Sequence, residues 1–522
     1  MMKRRKVYNV LGTMVLVGAI SLTSCTTKPE EKTFAVSEAI TNANNYIKDN
    51  ISSVNQELKN TYHLNPPIGW VNDPNGFSEF QDKFHLYYQY NPYDAVWGPM
   101  HWGHQTTKDF IKWELEDVAL APDKEYDASG CFSGTALVEN GVQYLAYTAV
   151  TDVQNQGMAY SYDGKTYQKL DELLLSGKDL PEGFSNADFR DPKLFKRDGK
   201  FYILTGNKDN KTGNKQIIMF QAEEVTGPYT YAGVVYSRND LGGILECPDL
   251  ITIDTTDVLI ASPQSIGDER EYVFQNADSC IYVLGNLSVN SNKFYKTPNT
   301  DVEEFDKGFS FYAPQTVKTS DGRAILTAWM RSWSEANITK EDGWCGGMVL
   351  PRELTLKENH IYQAPVREIK NYFKNEVKEN AIRLENEIKP LNSFTSRTSR
   401  ITMDIDVASM GSSGKAGIEV FKGTKYYTRI GYDASRGYVY FDRIHCGSLM
   451  DGVRYAKVDP IQGKIKLEIY LDNNSVEVFI NDGYYTMTGT TFTPLGNDGV
   501  ALYAEKCSAS FSNLTKTDII VE

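Results

Sequence analysis

The chain has 522 residues, more than one hydrophobic core usually serves and enough for two or three domains. Charged residues at 23% and hydrophobic ones at 41% are those of a globular protein and argue against global disorder. A balance of 54 Lys+Arg against 68 Asp+Glu leaves −14, with no basic stripe beyond residue 6, so nucleic acid is not an expected partner.

The first element is an export signal, predicted over residues 1–24. Lys3, Arg4, Arg5 and Lys6 form its positive region, and Val10 to Ile20 (VLGTMVLVGAI) is an apolar run of 11 residues, too short for a stable spanning helix. It ends in Leu22-Thr23-Ser24-Cys25, which resembles a bacterial lipoprotein box. The resemblance implies a lipid on Cys25 and a membrane-anchored exported protein, periplasmic or at the cell surface. Residues 25–60 are polar and read as a tether followed by a short helix within "SEAITNANNYIKDNISSVNQELKN". The six remaining cysteines form no C-x-x-C pair, so no zinc site is expected and no disulfide is assigned.

From about residue 61 a unit repeats. Turn residues lead into β-prone runs at Asp82 (DKFHLYYQY), Asn140 (NGVQYLAYTAV), Asp198 (DGKFYILTGN), Asp257 (DVLIASPQ) and Asp321 (DGRAILTAWM), at intervals of 58, 58, 59 and 64 residues. Five turn-plus-strand units of this size predict a five-bladed β-propeller over 61–365. The segment "PVREIKNYFKNEVKEN" carries the next helical pattern and reads as a linker over 366–384. Short alternating runs such as "GIEVFKG", "IKLEIYLD" and "SVEVFIND" then predict a β-sandwich over 385–522, which makes the chain all-β.

The repeat also places chemistry. A few residues before each turn stand Asp73, Ser133, Asp191, Glu246 and Tyr312, and in a propeller such positions converge at one end of the central channel. "WVNDPNG" (70–76) alone reads as a turn; its phase within the repeat puts Asp73 with two other acids. Converged carboxylates suit glycosidic-bond cleavage, in which one protonates the leaving oxygen and another attacks the anomeric carbon or activates water. Spacing alone does not say which acid does which task. His101 and His104 in "MHWGH" have no helix to bring them together as a metal pair, so structural roles are expected for both.

The ordered set "WVNDPNG", "YQYNP" (88–92), "WGPMHWGH" (97–104), "FSGTA" (132–136), "FRDPK" (189–193), "ECPDL" (246–250), "FYAPQT" (311–316), "LPREL" (350–354) and "SVEVFINDG" (475–483) resembles glycoside hydrolase family 32, the invertases, sucrose-6-phosphate hydrolases and exo-fructanases. The resemblance implies a retaining β-fructosidase acting on terminal fructosyl residues of sucrose, inulin or levan, with no cofactor and no metal. It implies Asp73 as nucleophile, Glu246 as acid/base and Asp191 as transition-state stabiliser. It implies that Asn72, Gln89, Trp97, Phe132, Ser133, Arg190, Tyr312 and Trp329 line the sugar pocket, and that Cys247 tunes Glu246. Ser310 stands where many relatives carry Asp, which puts contacts on the leaving-group side in question. A fructosyltransferase, an endo-fructanase, an inverting arabinan- or xylan-type propeller enzyme and a non-catalytic glycan-binding lipoprotein are the competing readings.

Overall fold

The computed structural model describes residues 32–266, 272–447, 449–450 and 452–522. The predicted signal and Cys25 lie outside the described residues. Among the described residues no helix is long and apolar enough to cross a membrane.

Five antiparallel sheets follow one another along the chain, and each begins with its innermost strand: Gly69–Phe80, Gly130–Glu139, Arg190–Arg197, Ile244–Ile253 and Tyr312–Lys318. Four of these strands hairpin into the next through the turn read from the sequence, with positive φ at Gln81, Asp82, Asn140 and Asp198. In the fourth blade the turn is Asp254-Thr255, where Asp254 holds positive φ, and Asp257, read as the turn, lies inside the next strand, Thr256–Gln264. The inner strands touch their neighbours in a ring, the fifth meeting the first, so the sheets are the blades of a closed propeller. The short strand Trp344–Cys345, contributed by the fifth unit, pairs in parallel with Gly69–Phe80 and helps to close that ring.

The C-terminal part is two packed sheets, one of seven strands and one of six. Their facing sides are apolar and enclose a core that includes Ile401, Ile418, Ile430, Ile469 and Leu502. The stretch 366–384, expected to be a linker with helical pattern, is part of this sheet system. After a 3-10 turn at Arg367–Tyr372, strands Phe373–Lys378 and Ile382–Glu385 both pair with Ser508–Ile519. Pairing partners supplied by the distant C-terminus override the local helical spacing.

The segment before the propeller is built into it. Helix α1 (Glu38–Asn50) starts at Ser37, whose side chain accepts from Ile40 N, and buries Ile40, Ala43 and Ile47. These side chains share an apolar cluster with the first blade and with Tyr470 and Phe479 of the sandwich; burying each Ile contributes about 1.5–3 kcal/mol. Further along, Trp344 Nε1 donates to Asn55 O at 3.1 Å, and Asn474 Nδ2 donates to Leu58 O at 2.7 Å. The short helix expected within 25–60 is α1, and residues 33–60 form a strap on the folded unit, so the tether expected ahead of that helix does not extend through them.

Candidate active site

The ladder between the first two strands of every blade is interrupted at one level. Register shifts fall between Val71 and Pro74, Phe132 and Gly134, Arg190 and Lys193, Glu246 and Asp249, and Tyr312 and Gln315. A bulge bends the strand and re-aims the side chains it carries. In blades three to five the residue before proline takes a left-handed conformation, with φ of 64° at Asp191, 45° at Cys247 and 50° at Ala313. Non-glycine residues pay about 1–3 kcal/mol for such a backbone and hold it where the surroundings enforce it.

This alignment corrects the expected equivalences by one residue. Arg190-Asp191-Pro192, Glu246-Cys247-Pro248 and Tyr312-Ala313-Pro314 lie in register, so Glu246 is level with Arg190 and Tyr312, and Cys247 is level with Asp191. The three acids still converge, but not from one repeated position. All five inner strands carry the same one-residue bulge, so the level is set by the bulge, with its proline in blades three to five, and distance from the turn, which differs between blades, is the misleading guide.

Asp73, Asp191 and Glu246 open into one cavity of about 290 Å³, also lined by Asn72, Gln89, Trp97, Phe132, Ser133, Gln154, Arg190, Gln264 and Trp333. Asp73 is buried. Its Oδ2 accepts from Ser133 Oγ at 2.6 Å and lies 3.5 Å from Cys247 Sγ, while Oδ1 is buried without a hydrogen bond. Burial raises the Asp73 pKa and the nearby Glu246 charge adds to the rise, against the Ser133 hydrogen bond. Asp191 is raised as well, by burial first and then by the Glu246 charge, with Arg190 opposing. Its Oδ2 accepts from Cys247 N at 2.8 Å, and its own N–H donates to Thr148 Oγ1 at 2.8 Å, which fixes the strained residue.

Glu246 is gripped on both oxygens. Arg190 Nε and Nη2 donate to Oε1 at 3.1 and 2.9 Å, and Tyr312 Oη donates to Oε2 at 2.6 Å. Arg190 in turn donates through Nη1 to Gln154 Oε1 at 3.2 Å, and Gln89 Nε2 donates to Cys131 O at 2.9 Å. The first-blade motif is braced in the same way: Trp70 Nε1 donates to Asn72 Oδ1 at 2.8 Å, and Gly134 N donates to Asn75 Oδ1 at 3.0 Å.

Of the eight residues expected to line the pocket, six do. Tyr312 and Trp329 do not, because both are 0% exposed. Tyr312 lies below the floor and acts on Glu246, not on a ligand. Trp329 ends the fifth blade's second strand and packs edge-on against Trp333, with ring centroids 5.0 Å apart. Trp333, four residues on in the following loop, is the ring that reaches the cavity, together with the exposed Trp97. Cys247, expected beside Glu246 as its tuner, places its sulfur on Asp73. Gln154, Gln264 and Trp333 were missed. The isolated Trp in the irregular stretch "RSWSE" was a usable signal; the glutamines carried none.

His101 and His104 lie in the strand His101–Thr107. His101 Nδ1 meets Pro99 O at 2.8 Å, and His104 stacks on Tyr87 with centroids 4.3 Å apart. Among the described residues no cluster of His, Cys, Asp or Glu suits a metal ion, and all six described cysteines are free thiols.

The chain's similarities agree with this architecture. Residues 63–365 match the N-terminal domain, and 368–518 the C-terminal domain, of glycosyl hydrolases family 32. A sucrose-6-phosphate hydrolase of Zymomonas mobilis is 33% identical over 457 residues, covering 83% of this chain and 86% of the relative. The levanase of Bacillus subtilis is 29% identical, over 89% of this chain and 71% of its own. The solved GH32 beta-fructofuranosidase of Bombyx mori superposes with a TM-score of 0.79 at 29% identity, covering 92% of this chain and 98% of that one. The chain belongs to glycosyl hydrolases family 32 and is a glycoside hydrolase.

Proposed function

We propose that the protein is a retaining β-fructosidase that removes terminal non-reducing β-D-fructofuranosyl residues from fructans, fructo-oligosaccharides or sucrose. The observation that carries this reading is the division of labour among the three acids. Asp73 has one oxygen held and the other buried without a partner, Glu246 is aimed by two donors, and Asp191 is held by a backbone N–H.

In this reading Asp73 Oδ1 attacks the anomeric carbon while Glu246 passes a proton to the departing oxygen, leaving the fructosyl group on Asp73. Glu246 then takes a proton from water as that water attacks the same carbon, and Asp73 is released. Ser133 keeps Asp73 Oδ2 out of the reaction, and Asp191 accepts hydrogen bonds from sugar hydroxyls as positive charge develops on the ring. A cavity walled by five blades suits a chain end and supports exo action. Arg190, the one cation among the described lining residues, is committed to Glu246, and this favours a neutral sugar over a phosphorylated one. Export and a lipid anchor at Cys25 belong to the same proposal and place the enzyme outside the cytoplasm, where polymeric fructans are met.

Incubation with sucrose, inulin and levan, with product chromatography, tests the substrate class. Fructose alone from the polymers is expected, and mixed oligomers would make the enzyme endo-acting. NMR of the first product decides the stereochemistry: β-fructose is expected, and initial α-fructose would sink the retaining mechanism. A pH profile tests the role of Asp73. The nucleophile works ionised and its pKa is raised, so kcat/KM is lost as pH falls through a value above the ~3.9 of an ordinary aspartate. Ser133→Ala removes a bond to the ionised form and moves that limb further up; a limb at or below ~4 would contradict the assignment.

A further inference from the structure

We propose that Glu335 is a positioning residue through which the sandwich domain, by Arg443, sets the Trp333 ring at the mouth of the catalytic pocket. Trp333 sits in the loop after the fifth blade's second strand, 36% exposed and stacked on Trp70 at 6.3 Å with an interplanar angle of 23°. No regular secondary structure holds this loop. Glu335 folds back into it instead: its Oε2 accepts from Ser332 N at 3.0 Å, and its own N–H donates to Ser332 O at 3.2 Å. The two atoms that define the turn around Trp333 are thus both bonded to Glu335.

The other oxygen leads out of the propeller. Glu335 Oε1 accepts from Ser310 Oγ at 2.7 Å and from Arg443 Nη1 at 2.9 Å. Arg443 belongs to the sandwich, where Nη1 also donates to Thr490 O at 2.9 Å and the guanidinium lies 3.8 Å from the Phe309 ring centroid. The Glu335 and Arg443 side chains are only 5% and 6% exposed, so this ion pair is shielded from solvent, and its geometry leaves the loop little freedom. Ser310 is itself fully buried, and its backbone N–H is tied to Thr488 O of the sandwich at 3.1 Å, so this donor to Glu335 is fixed as well. The same loop reaches the other rim ring, because Asn337 Nδ2 donates to Ala95 O, two residues from Trp97.

The proposal rests on the cavity being the sugar site, and its test separates the two. Amide exchange in residues 332–336 reads the pin without any substrate. Glu335→Ala and Arg443→Gln speed it by about tenfold or more, whereas Arg443→Lys keeps most of the protection. Unchanged exchange in both of the disrupting variants would overturn the proposal. With sucrose or a fructo-oligosaccharide, each disrupting variant raises KM by about three- to tenfold, the factor carried by one aromatic contact, and lowers kcat less. In a Trp333→Ala background the same substitutions add nothing further to KM. A KM effect that persists undiminished there, or a lower melting temperature with KM unmoved, would reduce Glu335 to a structural role and overturn the proposal. A wild type inactive on every fructoside would strike the fructosidase reading, while the exchange result would still decide the pin.

Discussion

Glu246→Gln lowers kcat by about 10²- to 10⁴-fold, the usual contribution of a positioned acid/base. Asp73→Asn lowers it by about 10⁴- to 10⁶-fold, as removal of a nucleophile does elsewhere. The two variants separate on a substrate whose leaving group needs no proton. Glu246→Gln there accumulates a covalent fructosyl-enzyme that mass spectrometry detects, and Asp73→Asn does not. A covalent adduct in Asp73→Asn, or wild-type turnover in either variant, would defeat the assignment.

The Asp73→Asn loss does not come from unfolding. The Asp73 pKa is raised in the folded state, so ionisation above the unfolded value costs stability, and the neutral isostere removes that cost. Asp73→Asn should therefore melt no lower than wild type at neutral pH. Activity and stability oppose one another at this residue, as they do where a site holds a charge it has not fully solvated.

The second large effect lies away from the pocket. Glu477→Ala in the sandwich destabilises the whole unit by about 3–5 kcal/mol, because it strips a buried charge network of one member. Glu477 Oε2 accepts from Arg352 Nη2 at 2.6 Å, and its Oε1 meets His63 Nε2 at 2.8 Å and Leu350 N at 2.9 Å. His63 Nδ1 meets Asp472 at 2.8 Å, and Arg352 Nη1 continues to Asp306 at 3.1 Å. The side chains of His63, Arg352, Asp306, Asp472 and Glu477 are at most 1% exposed. The network joins the segment before the first blade, the fourth and fifth blades and the sandwich, so Glu477→Ala loosens both domains together. Chemical denaturation followed separately by tryptophan fluorescence and far-UV circular dichroism should show one shifted, coincident transition. An unshifted midpoint would refute the role.

The same network sets a pH window. Burial alone would lower the His63 pKa, but its bonds to Asp472 and Glu477 win and raise it to about 9. That contribution is complete below the unfolded value of ~6.5 and is lost as pH rises through about 9. Burial alone would raise Glu477, but Arg352 and His63 hold it down at about 2. Its contribution is complete above ~4.5 and is lost as pH falls towards 2. The network is therefore at full strength between roughly pH 4.5 and 6.5. Melting curves across pH check this: His63→Gln should flatten the alkaline decline, and an unaltered slope would rule it out.

Much of this protein was legible in its residues. Turn signals at Asp82, Asn140, Asp198 and Asp321 marked four of the five blades because a hairpin needs Gly, Asn or Asp at one place, and that chemistry is local; in the fourth blade Asp257 stands just past the turn, within the second strand. The three acids were legible because their motifs are short and contiguous. "LPREL" and "SVEVFINDG" were legible only as marks of kinship; folding shows that they supply Arg352 and Glu477, two ends of one buried contact. The linker over 366–384 misled because strand pairing is decided by the partner, and that partner, Ser508–Ile519, is more than a hundred residues away.

What the sequence determined by itself is the architecture and the identity of the chemistry-bearing groups: five β units, a β-sandwich, and Asp73, Asp191 and Glu246 at one end of the channel. Only the tertiary structure decided which faces those groups present. The shared bulge sets Glu246 level with Arg190 and Tyr312 and Cys247 level with Asp191, Trp329 and Tyr312 are buried, and Trp333 reaches the cavity from the loop that follows the fifth blade's second strand. The reason is geometric. Strand side chains alternate with period two, so one inserted residue exchanges inside for outside, and contacts between blades and domains have no counterpart in local spacing.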